Sequence, residues 1–268
     1  MAQTRTDLME NRSTEVEIKS AAPTDTIYLR VVSYNIHRCV GSDGKRRPQR
    51  VADVLSELDA PLVALQEVDS LESDGSQTDY LAQTTGLTAI AGPAIRNGKG
   101  YYGNVLLTRY PVIQNECFDI SVHRWEPRCI INAVVNVDGV AVRVLVTHLG
   151  LRAAERRSQV DRLLKICSSN SDELLLVAGD INEWAPLSPR IRALDACFGK
   201  LPAPRTFPSF LPLVALDRIW VKPKTVLRSI RVHKSWHARI ASDHLPIVAE
   251  LAFAPATLAG AQDGETRL

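Results

Sequence analysis

The most constraining feature of this sequence is the placement of polar residues at the ends of short apolar runs. Polar side chains directly follow the runs at 28–34, 62–66, 142–147 and 174–179, and they begin or precede the runs at 216–221 and 245–251. The end of one strand lies beside the beginning of its antiparallel neighbour, so all of these groups can gather along one edge. The sequence therefore predicts β-structure with one strongly polar edge.

Helical segments are interleaved with these strands. Apolar residues spaced i, i+3, i+4 and i+7 from Val51 predict a helix that opens at Pro48, and a similar face covers 160–167. Residues 76–86 read as a further helix, and Asp138–Gly139 is a strong hairpin signal. Strands and helices do not alternate regularly, so we expect two mixed, mostly antiparallel β-sheets packed face to face with helices outside, an α/β fold.

The composition limits the domain organisation of the chain and excludes several classes of protein. The chain has 268 residues, 45% hydrophobic and 23% charged, and its net charge of +2 is too small for a general polyelectrolyte binder. We predict a flexible arm over 1–25, one domain over 26–254 and a flexible tail over 255–268. No apolar run approaches the roughly 18 residues of a membrane span, and the first residues lack the apolar segment of a secretory signal.

The cysteines and the polar edge indicate the compartment and the chemistry. Five scattered cysteines without a CxxC pair favour buried free thiols in a reducing, cytoplasmic protein, which we expect to be a monomer. Carboxylates that meet at strand ends repel one another unless a cation lies between them. Asn, Glu and Asp ligands without cysteine suit Mg²⁺ or Mn²⁺ much better than zinc.

Seven segments then reveal a resemblance. They occur in the order SYNIH (33–37), LQEVD (65–69), GNVLLTRYP (103–111), VTHL (146–149), GDINEW (179–184), LDRIW (216–220) and SDHLP (242–246). Together they closely resemble the endonuclease/exonuclease/phosphatase superfamily, the DNase I-like fold, and in particular its small bacterial members. The resemblance covers about residues 28–252. It implies a four-layered α/β-sandwich with an active site at one edge, and metal-dependent phosphoesterase activity.

The resemblance implies a role for each residue of the polar edge. Asn35 and Glu67 match the metal pair, with Glu67 as the principal ligand. Asp180 matches the carboxylate that orients or deprotonates water, and Asn182 the contact to phosphate; we expect both side chains to share one face because they lie two apart on an extended segment. The competing interpretation is an Asx-turn that closes the strand.

Two histidines complete the implied machinery. Asp217 and His244 resemble a buried Asp–His pair that keeps an imidazolium near the phosphate. Asp243 matches a further metal-site or His-orienting carboxylate. His148 matches the second histidine of the DNase-like and sphingomyelinase-like branches. A structural ion pair and a satisfied core histidine are the competing interpretations.

Three further residues and two basic clusters are candidates for substrate contact. We expect His37 to lie beside the metal and Asn104 to contact a phosphate. Arg128 could bind the substrate or form an internal ion pair. One basic cluster spans 38–50; the other spans 218–242, which contains no Asp or Glu. Both could attract an anionic substrate, or they could be solvated loops and strand edges.

The sequence therefore predicts a Mg²⁺- or Mn²⁺-dependent hydrolase that cleaves a phosphodiester by in-line attack of water. Nucleic acid, a phospholipid headgroup or a small phosphodiester could be the substrate. A phosphomonoesterase of the inositol-phosphate type is one alternative. The other is a catalytically silent binding module on the same fold, which would be expected to lack residues such as Asn35, Glu67 or His244.

Overall fold

The computed structural model describes residues 25–70, 76–98, 100–169 and 174–255. The predicted arm and tail lie almost wholly outside the described residues. The strands are β1 (Ile27–Asn35), β2 (Leu62–Asp69), β3 (Thr88–Asn97), β4 (Gly100–Thr108), β5 (Val112–Asp119), β6 (Cys129–Val137), β7 (Val140–His148), β8 (Leu174–Asp180), β9 (Asp217–Lys222), β10 (Leu227–Val232) and β11 (Ile247–Phe253). The helices are α1 (Pro48–Leu58), α2 (Gln77–Thr85), α3 (Ala153–Ser168), α4 (Pro189–Phe198) and α5 (Trp236–Ala241).

The strands form two mixed sheets. One has the order β10-β11-β1-β2-β4-β3 and the other the order β5-β6-β7-β8-β9. Two neighbouring pairs are parallel, β1 with β2 and β7 with β8, and the other neighbours are antiparallel. The predicted fold class is therefore confirmed.

Alternation along the strands produces four layers. In β1, Leu29 and Val31 belong to the core between the sheets, whereas Val32 and Tyr34 belong to a second core with residues of α1, α2 and α5. Helices α3 and α4 cover the outer face of the five-stranded sheet with side chains such as Leu163. Each fully buried aliphatic side chain contributes roughly 1.5–3 kcal/mol, so the faces that the sequence makes apolar determine the order of the layers.

Local sequence signals set several element boundaries. Helix α1 begins at Pro48, where the missing N–H costs no helical hydrogen bond, and α2 ends before Gly86, whose φ of 67° is left-handed. Asp138 and Gly139 have φ values of 50° and 92°, the two left-handed positions of a type I′ hairpin turn between β6 and β7. This turn fixes the register in which Val137 faces Val140.

Other features differ from the sequence-based expectation. Cys117 is exposed and Cys197 is partly exposed, so the prediction of uniformly buried thiols is wrong; all five cysteines are free. Part of the second basic cluster lies on β10, an edge strand with Arg228 and Arg231, which fits the strand-edge interpretation for these two residues. Among the described helices, none is long and apolar enough to cross a membrane.

Candidate active site

The candidate site lies where the parallel pairs of both sheets end. Asn35 and Glu67 come from the ends of β1 and β2 in the six-stranded sheet, and Asp180 ends β8 in the other sheet, opposite His148. The first residue of β9, Asp217, faces Asp180 across the antiparallel ladder. The two sheets therefore each contribute part of the cluster.

A bulge in β2 sets the direction of Glu67. The pairing of β2 with β4 shifts register between Leu65 and Val68, and Glu67 has a left-handed φ of 56°. A bulge turns a side chain out of the normal alternation, and a non-glycine residue with positive φ is held there only by its surroundings. The Glu67 side chain keeps 20% of its surface exposed, which makes it accessible from the solvent side of the cluster.

Asn35 joins carboxylates from the two sheets. Its Nδ2 donates to Glu67 Oε1 and to Asp180 Oδ2, both at 3.0 Å, and its Oδ1 accepts the backbone N–H of His37 at 3.0 Å. Because a backbone N–H can only donate, the amide oxygen must face His37 and the amide nitrogen must face the carboxylates. Asn35 thus presents donors to the cluster rather than a ligand oxygen.

The chain turns sharply after β8. The N–H of Asn182 donates to Asp180 Oδ1 at 2.8 Å, and Asn182 has a φ of 52°. The expectation that these residues share a face of an extended segment is therefore wrong, since an Asx-turn closes the strand. The preceding Gly179 is required by close packing, because a Cβ there would lie 1.8 Å from the carbonyl oxygen of Thr147.

A buried carboxylate holds His244 as a cation. His244 Nδ1 lies 2.8 Å from Asp217 Oδ2, which also accepts the Thr206 hydroxyl at 2.5 Å. Burial alone would lower the pKa of His244, but the negative charges of Asp217 and Asp180 outweigh it and raise the pKa to about 10. His244 is therefore an imidazolium at neutral pH. The ring of Phe207 packs against it, with centroids 4.9 Å apart.

Asp180 lies at the centre of the cluster. Its Oδ2 is 3.7 Å from His244 Nε2 and 3.6 Å from His148 Nε2. Burial raises the pKa of Asp180 to about 6, with a further contribution from the Asp217 charge and against the lowering effect of His244. At neutral pH this carboxylate is ionised and is a stronger base than an ordinary aspartate.

His148 is neutral and lies between two donors. Burial and the nearby Arg128 and His244 cations lower the pKa of His148 well below its ordinary value. Its Nδ1 lies 3.0 Å from Arg128 Nη1, and its Nε2 lies 3.0 Å from Asn182 Nδ2. A guanidinium has no acceptor, so Nδ1 must accept and the ring proton must be on Nε2. Nδ1 can then accept a hydrogen bond from Arg128, but Nε2 cannot accept one from the amide nitrogen of Asn182.

Three candidate residues lie outside this cluster. The half-exposed Asp243 is 3.7 Å from His37 Nδ1, and that nitrogen also lies 3.2 Å from the Val40 carbonyl oxygen. Asn104 is buried and donates to the backbone oxygen of Cys129 at 2.9 Å. The structure therefore assigns the orientation of His244 to Asp217 and places neither His37 nor Asn104 in contact with the central carboxylates.

The donor set fits a hard divalent cation. Glu67, Asp180 and Asp217 supply three carboxylates, whereas His244 supplies one positive charge within the cluster. Asp217 Oδ1 is buried and has no hydrogen-bond partner among the described residues. Ligand atoms of Asp180, Asp217 and His244 lie within 4.8 Å of one another, but a protonated His244 has no lone pair to offer. The oxygen atoms of the partly exposed Glu67 are therefore the better candidates.

Several supporting residues were missed by the sequence analysis. Ser242 donates to the Asn35 carbonyl oxygen at 2.8 Å and accepts the N–H of His244 at 3.2 Å, while Glu126 pairs with Arg128 at 2.9 Å. Thr206 and Phe207 lie in a proline-rich stretch with no recognisable motif. Counting back from the Asp138–Gly139 turn places Cys129 opposite His148, so the sequence brings Arg128 near His148 along the chain but does not predict the contact of its side chain.

Comparison with known proteins identifies the family and supports the fold. The model of the Endonuclease/Exonuclease/phosphatase family matches residues 32–244. The uncharacterized protein YbhP of Escherichia coli K12 is 33% identical over 253 residues, which covers 85% of this chain and 98% of that protein. An endonuclease/exonuclease/phosphatase from Beutenbergia cavernae superposes with a TM-score of 0.71 at 21% identity, over 85% of this chain and 72% of that one. A mannosyl-6-phosphatase from Bacteroides thetaiotaomicron gives 0.68 at 18% identity, over 84% of this chain and all of that one. The chain belongs to the endonuclease/exonuclease/phosphatase family.

Proposed function

We propose that this protein is a divalent-metal-dependent phosphodiesterase whose general base is Asp180 and whose general acid is His244. One observation carries the proposal: a buried carboxylate with a raised pKa lies 3.7 Å from a histidine that a second carboxylate keeps protonated. Opposite protonation states on neighbouring groups are what acid–base catalysis needs.

The proton balance of the reaction closes within this pair. A water oxygen forms the new bond to phosphorus and gives its proton to Asp180. The bond to the leaving oxygen breaks, and that oxygen takes the Nε2 proton of His244. The proton on Asp180 then returns to His244 across the short gap between them, which restores both groups for the next turnover.

Glu67 would hold the metal, Mg²⁺ or Mn²⁺, as its carboxylate ligand, and Asn35 would keep that carboxylate beside the base Asp180. A bound divalent ion would supply charge neutralisation at the phosphoryl oxygens. Asn182 Nδ2 donates one hydrogen to the Leu149 oxygen at 2.8 Å, and its other hydrogen and the Nε2–H of His148 would donate to a phosphoryl oxygen. Arg128 acts on the reaction through His148, because it fixes the proton on Nε2.

A diester fits the charge of this site better than a monoester. A phosphodiester carries one negative charge, whereas a monoester carries nearly two at neutral pH. In the described part of the site, His244 is the cation that faces Asp180, and Arg128 is already paired with Glu126 at 2.9 Å.

A cytoplasmic location and a monomeric state remain predictions from the sequence.

The proposed function is tested with protein stripped by EDTA and reloaded with Mg²⁺, Mn²⁺, Zn²⁺ or no metal. We expect hydrolysis of bis(p-nitrophenyl) phosphate with Mg²⁺ or Mn²⁺, and slower hydrolysis of p-nitrophenyl phosphate. Glu67→Gln should raise the metal concentration for half-maximal activity at least about tenfold, because a charged ligand is lost. The exposed Glu116→Gln serves as the matched control. Full activity without metal, or preference for the monoester, would contradict the proposal.

Arg128 gives a second prediction within the same site. Arg128→Met should lower kcat about 10- to 100-fold with little change in KM, because His148 is then free to adopt the wrong tautomer. Arg128→Lys, which keeps a charged donor, should recover much of the loss. The imidazole ¹⁵N shifts of His148 should report an unprotonated Nδ1 in the native protein only. A raised KM with unchanged kcat would instead mean that Arg128 clamps the substrate.

A further inference from the structure

Two loops beside the candidate cluster, the first between β8 and α4 and the second between α4 and β9, expose an unusual share of the large apolar side chains. We call Trp184, Leu187, Phe210, Leu211 and Leu213 the apolar rim; their exposed fractions are 58%, 75%, 69%, 55% and 57%. Nine large apolar side chains are strongly exposed in the described chain, and the rim holds five of them. Single exposed apolar residues are ordinary, but a concentration of them in one place marks a surface that contacts something else.

The second of these loops is held rigidly toward solvent. Residues 207 and 214 form a β-bridge, and the N–H of Leu213 donates to the Phe207 oxygen at 2.8 Å. The N–H of Ser209 donates to the Asp243 oxygen at 2.7 Å, and Arg239 donates to the Phe210 oxygen at 3.2 Å. The apolar tip is therefore presented by a fixed scaffold that also adjoins His244.

A cationic cavity opens between the two loops. It has a volume of about 460 Å³, and its lining includes Trp184, Leu213, Lys200, Arg205 and Arg218. Arg218 is only 8% exposed, and burial lowers the pKa of its guanidinium. Its Nε donates to the Ala215 oxygen at 3.3 Å, while its terminal nitrogens make no hydrogen bond to the described residues.

The lining of this cavity carries more positive than negative charge, with Lys200, Arg205 and Arg218 against Glu183 and Asp195. Glu183 is paired with Arg190 at 2.5 Å and with Arg156 at 3.4 Å, whereas the charge of Asp195 offsets part of the charge of Arg218. A buried guanidinium with free donors, next to further cations, is suited to a phosphate group.

We propose that this face docks onto a bilayer that contains anionic phospholipids, with the apolar rim in the headgroup region and a lipid phosphate in the cationic cavity. Aromatic and leucine side chains next to Lys and Arg are the combination that binds at such an interface. Three of the five rim residues are leucines, which have no ring to stack on a nucleic-acid base, so a bilayer fits better than a single strand. A consequence, which rests on the proposed function, is that the substrate is a phospholipid headgroup diester.

The test is co-sedimentation of the full-length, EDTA-treated protein with vesicles of phosphatidylcholine alone or with about 30 mol% phosphatidylglycerol. We expect at least about tenfold stronger binding to the anionic vesicles, and at least about a tenfold loss in the Phe210→Ser/Leu213→Ser variant. Arg205→Gln should weaken binding to anionic vesicles only. Ile113→Ser removes an equally exposed apolar side chain from β5, at the opposite edge of the five-stranded sheet from β9, and should bind as the native protein does. Melting temperatures of all variants separate lost docking from lost folding.

Several results would overturn the docking proposal. These are no binding to either vesicle, native-like binding by a folded rim variant, or tighter binding to a single-stranded oligonucleotide that the rim substitutions abolish. Binding without any metal-dependent diester hydrolysis would refute the proposed function and leave the docking intact. Hydrolysis of a soluble diester without vesicle binding would refute the docking alone.

Discussion

Replacing Asp180 by asparagine is expected to lower kcat/KM for a phosphodiester by about 10³- to 10⁴-fold. Asparagine keeps the size of the side chain and an oxygen for the N–H of Asn182, but it cannot take a proton from water. Its amide would also face the donor nitrogen of Asn35, which lies 3.0 Å from the carboxylate in the native protein. Steady-state kinetics at saturating Mg²⁺ measure the loss.

Asp161→Asn is the matched control for this experiment. Asp161 is an exposed carboxylate on α3, so the same chemical change there should leave the kinetics unaltered. Circular dichroism spectra of both variants should match the native spectrum. If Asp180→Asn retains more than about a tenth of the native kcat/KM, another group is the base.

Replacing Asp217 by asparagine is expected to abolish the imidazolium at position 244 and to reduce kcat about 10²- to 10⁴-fold at pH 8. In the native protein the raised pKa of about 10 keeps His244 protonated until the pH passes that value. Without the Asp217 charge, burial dominates and the pKa falls, so His244 is neutral at pH 8. The loss should shrink as the pH is lowered toward 6, where the proton returns.

Imidazole NMR of the metal-free protein measures this titration directly. The native His244 signals should stay in the protonated range up to about pH 10, whereas in Asp217→Asn the transition should occur below pH 8. His244→Gln should show the same kinetic defect at all pH values. A native His244 that loses its proton near pH 6.5 would show that the Asp217 pair does not create the acid.

The strand ends and their convergence could be predicted from the sequence because they follow from local alternation and from pairing rules. The run before Asn35, the run before His148 and the Asp138–Gly139 turn each specify a strand boundary without knowledge of the partner. The turn also fixes the register that places Cys129 opposite His148. Two candidates from the same motifs, His37 and Asn104, nevertheless lie outside the cluster.

What the sequence could not supply are the details that depend on a partner strand or on a distant loop. The bulge that redirects Glu67 exists only because β2 and β4 shift register. The sequence at Asp180 is compatible with an extended strand or with an Asx-turn, and the Asx-turn is the one that forms. Gly179, directly before it, allows β8 to approach β7 closely. Thr206 reaches Asp217 from a segment without periodicity, so no pattern could have placed it there.

The division of the cluster between the two sheets has a consequence for partly folded forms of the protein. Asn35 bridges Glu67 of one sheet and Asp180 of the other, so the acid–base geometry exists only while the sandwich is closed. A state that keeps every strand but in which the two sheets have separated would have a native far-ultraviolet circular dichroism spectrum and no catalytic activity. We therefore expect the proposed activity to depend on the contact between the two sheets, and to be lost on warming before the far-ultraviolet signal of the backbone.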